Sequence, residues 1–290
     1  MSPINPMIQL TWQEIEKKTE SFKQKFTQAV RDGFFYVEIP EEHKKRIEEA
    51  KKLGNSLRTN DFLKGFQFGD PRLGYQIRGS QAVAFCAMKD KWEKVFPEPV
   101  KELANEMNKL ALTILKSALT QLGVPENLWA VATGELTDAK GSEVFTLTHY
   151  KPSEDKKDKI GLITHKDSGW ITILFIDKTG LETSKDGKHW TPIPPKEGYY
   201  VVNFGRAFEL LFASEDKLRA SLHRVRRLEE ERLSFGVFIN HREQADLFQI
   251  DEKGNLKQIG TYEQYLKKCF AEFQALQDEL KAQEESSASI

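Results

Sequence analysis

Three side chains of this 290-residue chain have the types and spacing to hold a transition metal: His165, Asp167 and, much further along, His223. His165 and Asp167 stand two apart in the apolar run ITHKDSGWITILF, which reads as a strand, so the pleat aims both at one side. His223 lies in another apolar run, SLHRV, that a folded sheet can bring to the same point. Two imidazoles and one carboxylate on one side of an ion form a donor set for non-haem Fe(II) with open positions, which activates dioxygen. Zinc competes on affinity, but a zinc enzyme needs a base and a polarised water, and it leaves the next motif without a role. That motif is Arg232-Leu233-Ser234, in which Arg232 and Ser234 share one face of a strand. A planar guanidinium grips a carboxylate with two parallel hydrogen bonds, and the hydroxyl adds a third donor. Pairing SLHRVRR with RLSFGVF as a hairpin, turned over 228–231, puts His223 and Arg232 on one side. Phe238 and Asn240 share the parity of Arg232 and are expected near the substrate. His43, His149, His189 and His241 read as surface or packing residues.

The elements that must position these groups change character along the chain. From about Phe145 to Asn240, short β-rich runs such as VFTLTHY, WITILFI and YYVVNF are separated by turns. That pattern argues for a sandwich or barrel rather than alternating βαβ units. Ahead of it, Thr11-Trp12-Gln13-Glu14 has the form of a capping box and opens a helix ended by Gly33, with Trp12, Ile15, Phe22, Phe26 and Val30 on one face. FFYVEI reads as a strand, and a helix follows from Glu41 to about Leu53. Residues 58–90 read as irregular, punctuated by Gly65, Gly69, Gly74 and Gly79. A long amphipathic helix begins near Pro99 and stops at Gly123-Val124-Pro125. A second capping box, Thr261 to Gln264, opens a last helix with Tyr265, Cys269, Phe270, Phe273 and Leu280 on one stripe. The expected fold class is an all-β core with flanking helices. It forms one domain over 1–282, with 1–125 helix-rich and packed on a 140–245 core, and 283–290 a polar disordered tail.

Composition narrows the class. With 39% hydrophobic residues the chain can bury a sizeable core. Charged residues make up 30%, yet the net charge is −1 and the lysine-rich stretches carry interleaved acids, so no nucleic-acid partner is expected. Two cysteines, Cys86 and Cys269, do not make a disulfide scaffold. No secretory signal and no run of about 18 apolar residues is visible. A reducing cytoplasmic setting, no membrane partner, and a monomer or weak homodimer are the expectations.

The order H-x-D, a distant H, then R-x-S nine residues later resembles the Fe(II)/2-oxoglutarate-dependent dioxygenases, with the isopenicillin N synthase-like group the nearest in pattern. GLITHKDSGWITILF, Gly180-Leu181-Glu182, HWTPIPPKEGYYVVNFG, LHRV and RLSFGVFIN follow the family's order and spacing, and AVRDGFFYVEIP and LTHYKP resemble its N-terminal and Asn-x-Tyr-Pro segments. The resemblance spans roughly Leu10 to Tyr265. It implies a double-stranded β-helix (jelly roll) with an N-terminal helical layer and a C-terminal helix. It implies His165, Asp167 and His223 as iron ligands, with Arg232 and Ser234 gripping the distal carboxylate of 2-oxoglutarate. Tyr150 matches the tyrosine of Asn-x-Tyr, and its hydroxyl is expected to donate to the cosubstrate. Two departures stand out: Thr148 replaces the asparagine, and Arg206 replaces an acid after Asn203 and Gly205, which reads as a local surface change. The segment Gly74 to Arg78 lies where related enzymes often line their pocket, so Arg78 reads either as a surface loop charge or as a contact for an anionic substrate.

The first functional reading is an oxygenase that couples 2-oxoglutarate decarboxylation, to succinate and carbon dioxide, to oxidation of a C–H bond in a small natural-product or amino-acid-derived substrate. A second keeps iron but drops the cosubstrate, as in isopenicillin N synthase or aminocyclopropane carboxylate oxidase, with electrons from the substrate or ascorbate. A third is a metal-stabilised jelly roll that binds without catalysis.

Overall fold

Along Arg232–Asn240, alternate residues go to opposite sides. Leu233, Phe235, Val237 and Ile239 enter a large apolar core, while Arg232, Ser234, Phe238 and Asn240 project from the other face. The same alternation runs through a whole sheet and sets the architecture. This computed structural model describes residues 7–70, 72–78, 81–152, 160–212, 217–226 and 229–288, excluding the side chains of 160, 277 and 280–288.

In chain order the first half comprises β1 (Gln9–Leu10), α1 (Trp12–Lys17), α2 (Glu20–Asp32), β2 (Phe34–Glu38), α3 (Glu41–Ser56), α4 (Asp61–Lys64), β3 (Gly74–Arg78), β4 (Ala82–Met88), α5 (Lys89–Val95), α6 (Glu98–Gln121) and α7 (Trp129–Ala132). The second half comprises β5 (Ser142–Tyr150), β6 (Ile160–His165), β7 (Ile171–Ile176), β8 (Leu181–Ser184), β9 (Thr191–Pro192), β10 (Tyr199–Phe204), α8 (Arg206–Leu210), β11 (Leu222–Arg226), β12 (Arg232–Asn240), β13 (Asp246–Ile250), β14 (Leu256–Thr261) and α9 (Tyr262–Ala288). An eight-stranded sheet has the order β1-β2-β10-β7-β12-β5-β4-β3, and a four-stranded sheet the order β6-β11-β8-β9. Together they make the jelly roll. On the outer face of the large sheet α6 packs against β12, β7, α3 and α2, which buries the main core. A second apolar cluster, with Phe34, Tyr150, Ile176 and Val201 of the large sheet and Leu181 and Val225 of the small one, lies between the sheets. Among the described residues no helix is long and apolar enough to cross a membrane.

Local rules account for several helix ends. The capping box at Thr11 and Glu14 forms, and Gly33, at φ 78°, closes α2. The single helix expected over 12–32 is instead two, because Lys18 turns left-handed at φ 47° and the Thr19 hydroxyl caps a fresh start. Thr261 and Gln264 cap α9 reciprocally. That helix runs on to Ala288, past the expected start of a polar tail at 283, through lysine, alanine, glutamine and glutamate, all good helix formers.

Two larger expectations are corrected. Residues 58–90 are not irregular: β3 and β4 form a hairpin that extends the large sheet from β5. In AVAFCAM the residues on the inner side, Ala82, Ala84 and Cys86, are as apolar as those on the core side, so no alternation shows in the sequence. The hairpin over 228–231 does not exist: β11 pairs with β6 and β8, whereas β12 pairs with β5 and β7 in the other sheet. His223 and Arg232 therefore reach the interior from facing sheets.

Candidate metal centre

His165 is the last residue of β6, directly opposite His223 of β11, and the two imidazole centroids are 4.3 Å apart. Asp167 is not on that strand. It lies in the crossing 166–170 that carries the chain from the small sheet to the large one, so a turn aims it rather than a pleat. The turn is held from several sides. Arg206 N donates to Asp167 O at 2.8 Å, Gly205 N to Trp170 O at 2.9 Å, and Trp170 N to Ile239 O at 2.8 Å. A Cβ at Gly205 would sit 2.2 Å from Gly169 O, so only glycine lets the two segments touch. The Tyr265 hydroxyl of α9 donates to Ser168 O at 2.9 Å.

The donor atoms converge. His165 Nε2 and His223 Nε2 lie 3.8 and 3.7 Å from Asp167 Oδ1, and all three ligand atoms fall within 4.8 Å of one another. Each imidazole directs Nδ1 at a backbone carbonyl, Ile163 O at 2.7 Å and Ser221 O at 2.9 Å, so Nδ1 carries the proton and Nε2 presents its lone pair. Asp167 Oδ2 accepts from Thr172 Oγ1 at 2.6 Å and Asn203 Nδ2 at 2.8 Å, which leaves Oδ1 for a cation. Burial, then the charge of His223, pushes the pKa of His165 below its ordinary value, keeping the ring neutral. Burial pulls the Asp167 carboxyl upward, but the two histidines, Asn203 and Thr172 outweigh it and hold the carboxyl below its usual value. Two Nε2 atoms and a carboxylate oxygen facing one point, with the other side open to a cavity, fit a ferrous ion that keeps exchangeable positions. Phe34 packs edge-on to His223 and Phe273 to His165, each with centroids 5.7 Å apart.

Arg232 supplies a second observation. Only 1% of it is exposed, and Nε, Nη1 and Nη2 all lack a hydrogen-bond partner among the described residues. Its guanidinium carbon lies 4.9 Å from the Tyr150 ring centroid, and Tyr150 is its cross-strand partner. Ser234 faces the same way, opposite Thr148. A buried guanidinium with no acceptor is costly, and an arriving carboxylate relieves that cost. The patch therefore fits a small acid.

A cavity of about 610 Å³ opens beside Asp167, and Arg78, Phe238 and Asn240 are all on its wall. Asn240 is partly committed, because its Oδ1 accepts from the Tyr262 hydroxyl at 3.1 Å. Arg206 is not a local surface change: it ion-pairs with Glu272 at 2.6 Å and so ties α9 beside the turn. The other histidines stand apart from the centre. His43 meets the Tyr200 hydroxyl, His149 accepts from Arg58, His241 lies between Trp170 and Tyr262, and His189 is exposed beside Asp186. Sequence reasoning missed Thr172 and Asn203 as the groups that orient Asp167. The signal for Thr172 was a lone polar residue in the apolar run WITILFI.

A family model described as the 2OG-Fe(II) oxygenase superfamily matches residues 141–241. Gibberellin 3-beta-dioxygenase 1 of Arabidopsis thaliana is 33% identical over 156 residues, covering 53% of this chain and 42% of that protein. The chain thus spans less than half the length of the first plant relatives it matches. A 2-oxoglutarate-dependent dioxygenase of Gibberella zeae is 25% identical across 85% of this chain and 82% of its own. A full-length Neurospora crassa protein solved in complex with alpha-KG shares the fold, with a TM-score of 0.72, 16% identity, and 90% and 94% of the two chains covered.

Proposed function

We propose that this chain, whose residues 141–241 match the 2OG-Fe(II) oxygenase superfamily model, is a 2-oxoglutarate-dependent Fe(II) dioxygenase oxidising a C–H bond of a small molecule. The observation that carries this reading is the buried guanidinium of Arg232, without a hydrogen-bond partner among the described residues, in the same interior as the convergent His165, Asp167 and His223. When bound, Fe(II) with 2-oxoglutarate supplies the oxidising chemistry, in which the keto acid and dioxygen give succinate, carbon dioxide and an oxidised substrate.

The chain's own groups do the positioning. His165, Asp167 and His223 hold the metal from one side. The backbone carbonyls of Ile163 and Ser221, with Thr172 and Asn203, fix the orientation of all three. Arg232 grips the distal carboxylate of 2-oxoglutarate and Ser234 adds a donor. The Tyr150 ring packs on the guanidinium and holds its plane, so its role here is stacking on Arg232. The apolar cluster between the sheets limits water around this grip. The cavity beside Asp167 receives the substrate, which puts its C–H bond next to the metal.

The test is stoichiometry. Anaerobic protein should take one Fe(II) and one 2-oxoglutarate, and with a turned-over substrate succinate should form in step with product. Product formation and oxygen uptake that proceed unchanged without any keto acid would sink the reading.

A further inference from the structure

Among the described residues three arginines line the cavity beside Asp167, and two of them are already neutralised. Arg72 binds Asp70, with Nε 2.8 Å from Oδ1, and also Glu243 at 2.8 Å. Arg242 pairs with Glu135. Arg78 has no acidic partner among the described residues. Its Nε and Nη2 donate to Gln76 Oε1 at 3.0 and 2.8 Å, and Nη2 also lies 3.2 Å from Cys86 Sγ. Those acceptors are neutral, so they occupy donors without cancelling the charge. Nη1 makes no hydrogen bond within the described residues.

The surroundings give that charge a use. Arg78 stands at the edge of a cross-strand row that runs through Ala82 and Tyr150 to Arg232, so a guanidinium marks each end of the row. Ala82 and Ala84 on the neighbouring strand are small, which leaves room above them. Beyond the cation the cavity wall offers an apolar surface in Phe68, Met88 and Phe238, interleaved with neutral polar groups such as Ser142, Thr146 and Asn240. Asp167 is committed to the metal, and no lysine among the described residues lines the cavity. A cation without an acidic partner among the described residues, in a cavity whose other arginines are paired with acids, selects a ligand that brings its own negative charge.

We propose that Arg78 is the specificity-determining cation of the substrate pocket, holding a carboxylate of a small organic acid whose apolar body lies against Phe68, Met88 and Phe238. This deepens the oxygenase reading and rests on it for taking the cavity as the substrate's. Arg78 acts by binding and orientation and takes no part in the metal chemistry.

The experiment uses the full chain loaded anaerobically with Fe(II) and 2-oxoglutarate. The probes are aromatic, aliphatic and alicyclic monocarboxylic acids of about 8 to 20 carbons, a size range suited to such a cavity, each paired with its primary amide. Calorimetric titration should find at least one acid binding about tenfold to a hundredfold tighter than its amide, the range expected for a charge-assisted hydrogen bond. Arg78→Gln should level the pair by weakening the acid and sparing the amide. Arg78→Lys should keep a reduced preference, because the charge stays and the fork is lost. Equal binding of acid and amide by the unsubstituted chain, no binding by any acid, or an acid preference that survives Arg78→Gln overturns the proposal. Should Arg78→Gln not fold, the acid–amide comparison in the unsubstituted chain and in Arg78→Lys still decides. Binding of 2-oxoglutarate is titrated first: a chain that binds none defeats the oxygenase reading, whereas one that binds it but ignores the acid defeats only the role of Arg78.

Discussion

On the helix-covered face of the large sheet, Leu147, Ile173, Val202 and Phe235 are all fully buried, while one step along the same four strands Thr148, Thr172, Asn203 and Ser234 face the interior of the jelly roll. The first set packs against helices and needs no partner beyond shape. The second consists of polar groups: Thr172 and Asn203 donate to Asp167, and Ser234 stands beside Arg232 where a ligand would meet it. A pleat with a period of two thus separates stability from chemistry within single strands. Replacements on the outer face should be felt in folding, and replacements on the inner face in binding and turnover.

The largest effect expected on the inner face is from Asp167→Ala. Loss of the metal should cut turnover by on the order of a thousandfold or more, while the denaturation midpoint of the metal-free protein moves little. Phe235→Ala should do the reverse, lowering stability by about 3–5 kcal/mol in urea titration and leaving the turnover of the folded fraction near normal. If Phe235→Ala abolished turnover in fully folded protein, the separation of the faces would fail. Arg232→Met sharpens the contrast through its sign. Affinity for 2-oxoglutarate should fall about a hundredfold, yet the ligand-free protein should gain on the order of 1 kcal/mol, because a buried cation without a hydrogen-bond partner among the described residues is gone. A drop in ligand-free stability would show that Arg232 is structural.

Asn203→Ala should weaken metal affinity by about tenfold to a hundredfold with turnover restored at saturating Fe(II), since it removes one of the two donors that orient Asp167. The smallest effect is one of pH. His43, buried against Tyr200 on the outer face, has its pKa pushed down to about 4 by burial. The folded-state value lies below the unfolded one, so the unfolded chain takes up the proton first as pH falls. The stability is present above about pH 6.5 and is lost on the way towards pH 4. Urea midpoints across that window should decline, and His43→Gln should flatten the decline. An unchanged slope would show that His43 does not contribute.

The two faces were not equally legible. The outer face announces itself: the long stripe of α6 and the apolar parity of RLSFGVFIN need only local periodicity. The inner face shows as isolated polar residues in apolar runs, which identifies candidates without saying what they contact. His165, Asp167 and His223 were singled out from type and spacing, but the reason they meet was misread. Asp167 reaches the centre from a turn between sheets, and that turn is held by Gly205, Trp170 and Ile239, residues far apart in sequence. The β3–β4 hairpin was missed because Ala82, Ala84 and Cys86 on its inner side carry no polar mark.

From the sequence alone came the donor set, the paired Arg232 and Ser234, the capped helices and a β-rich core, because residue chemistry and short-range periodicity are written in adjacent letters. Only the tertiary structure decided which strands pair. It sent β11 and β12 to opposite sheets and left Arg78, rather than Arg72 or Arg242, without an acid among the described residues. Strand partnership and charge compensation depend on contacts between segments tens to hundreds of residues apart, and no local pattern encodes those.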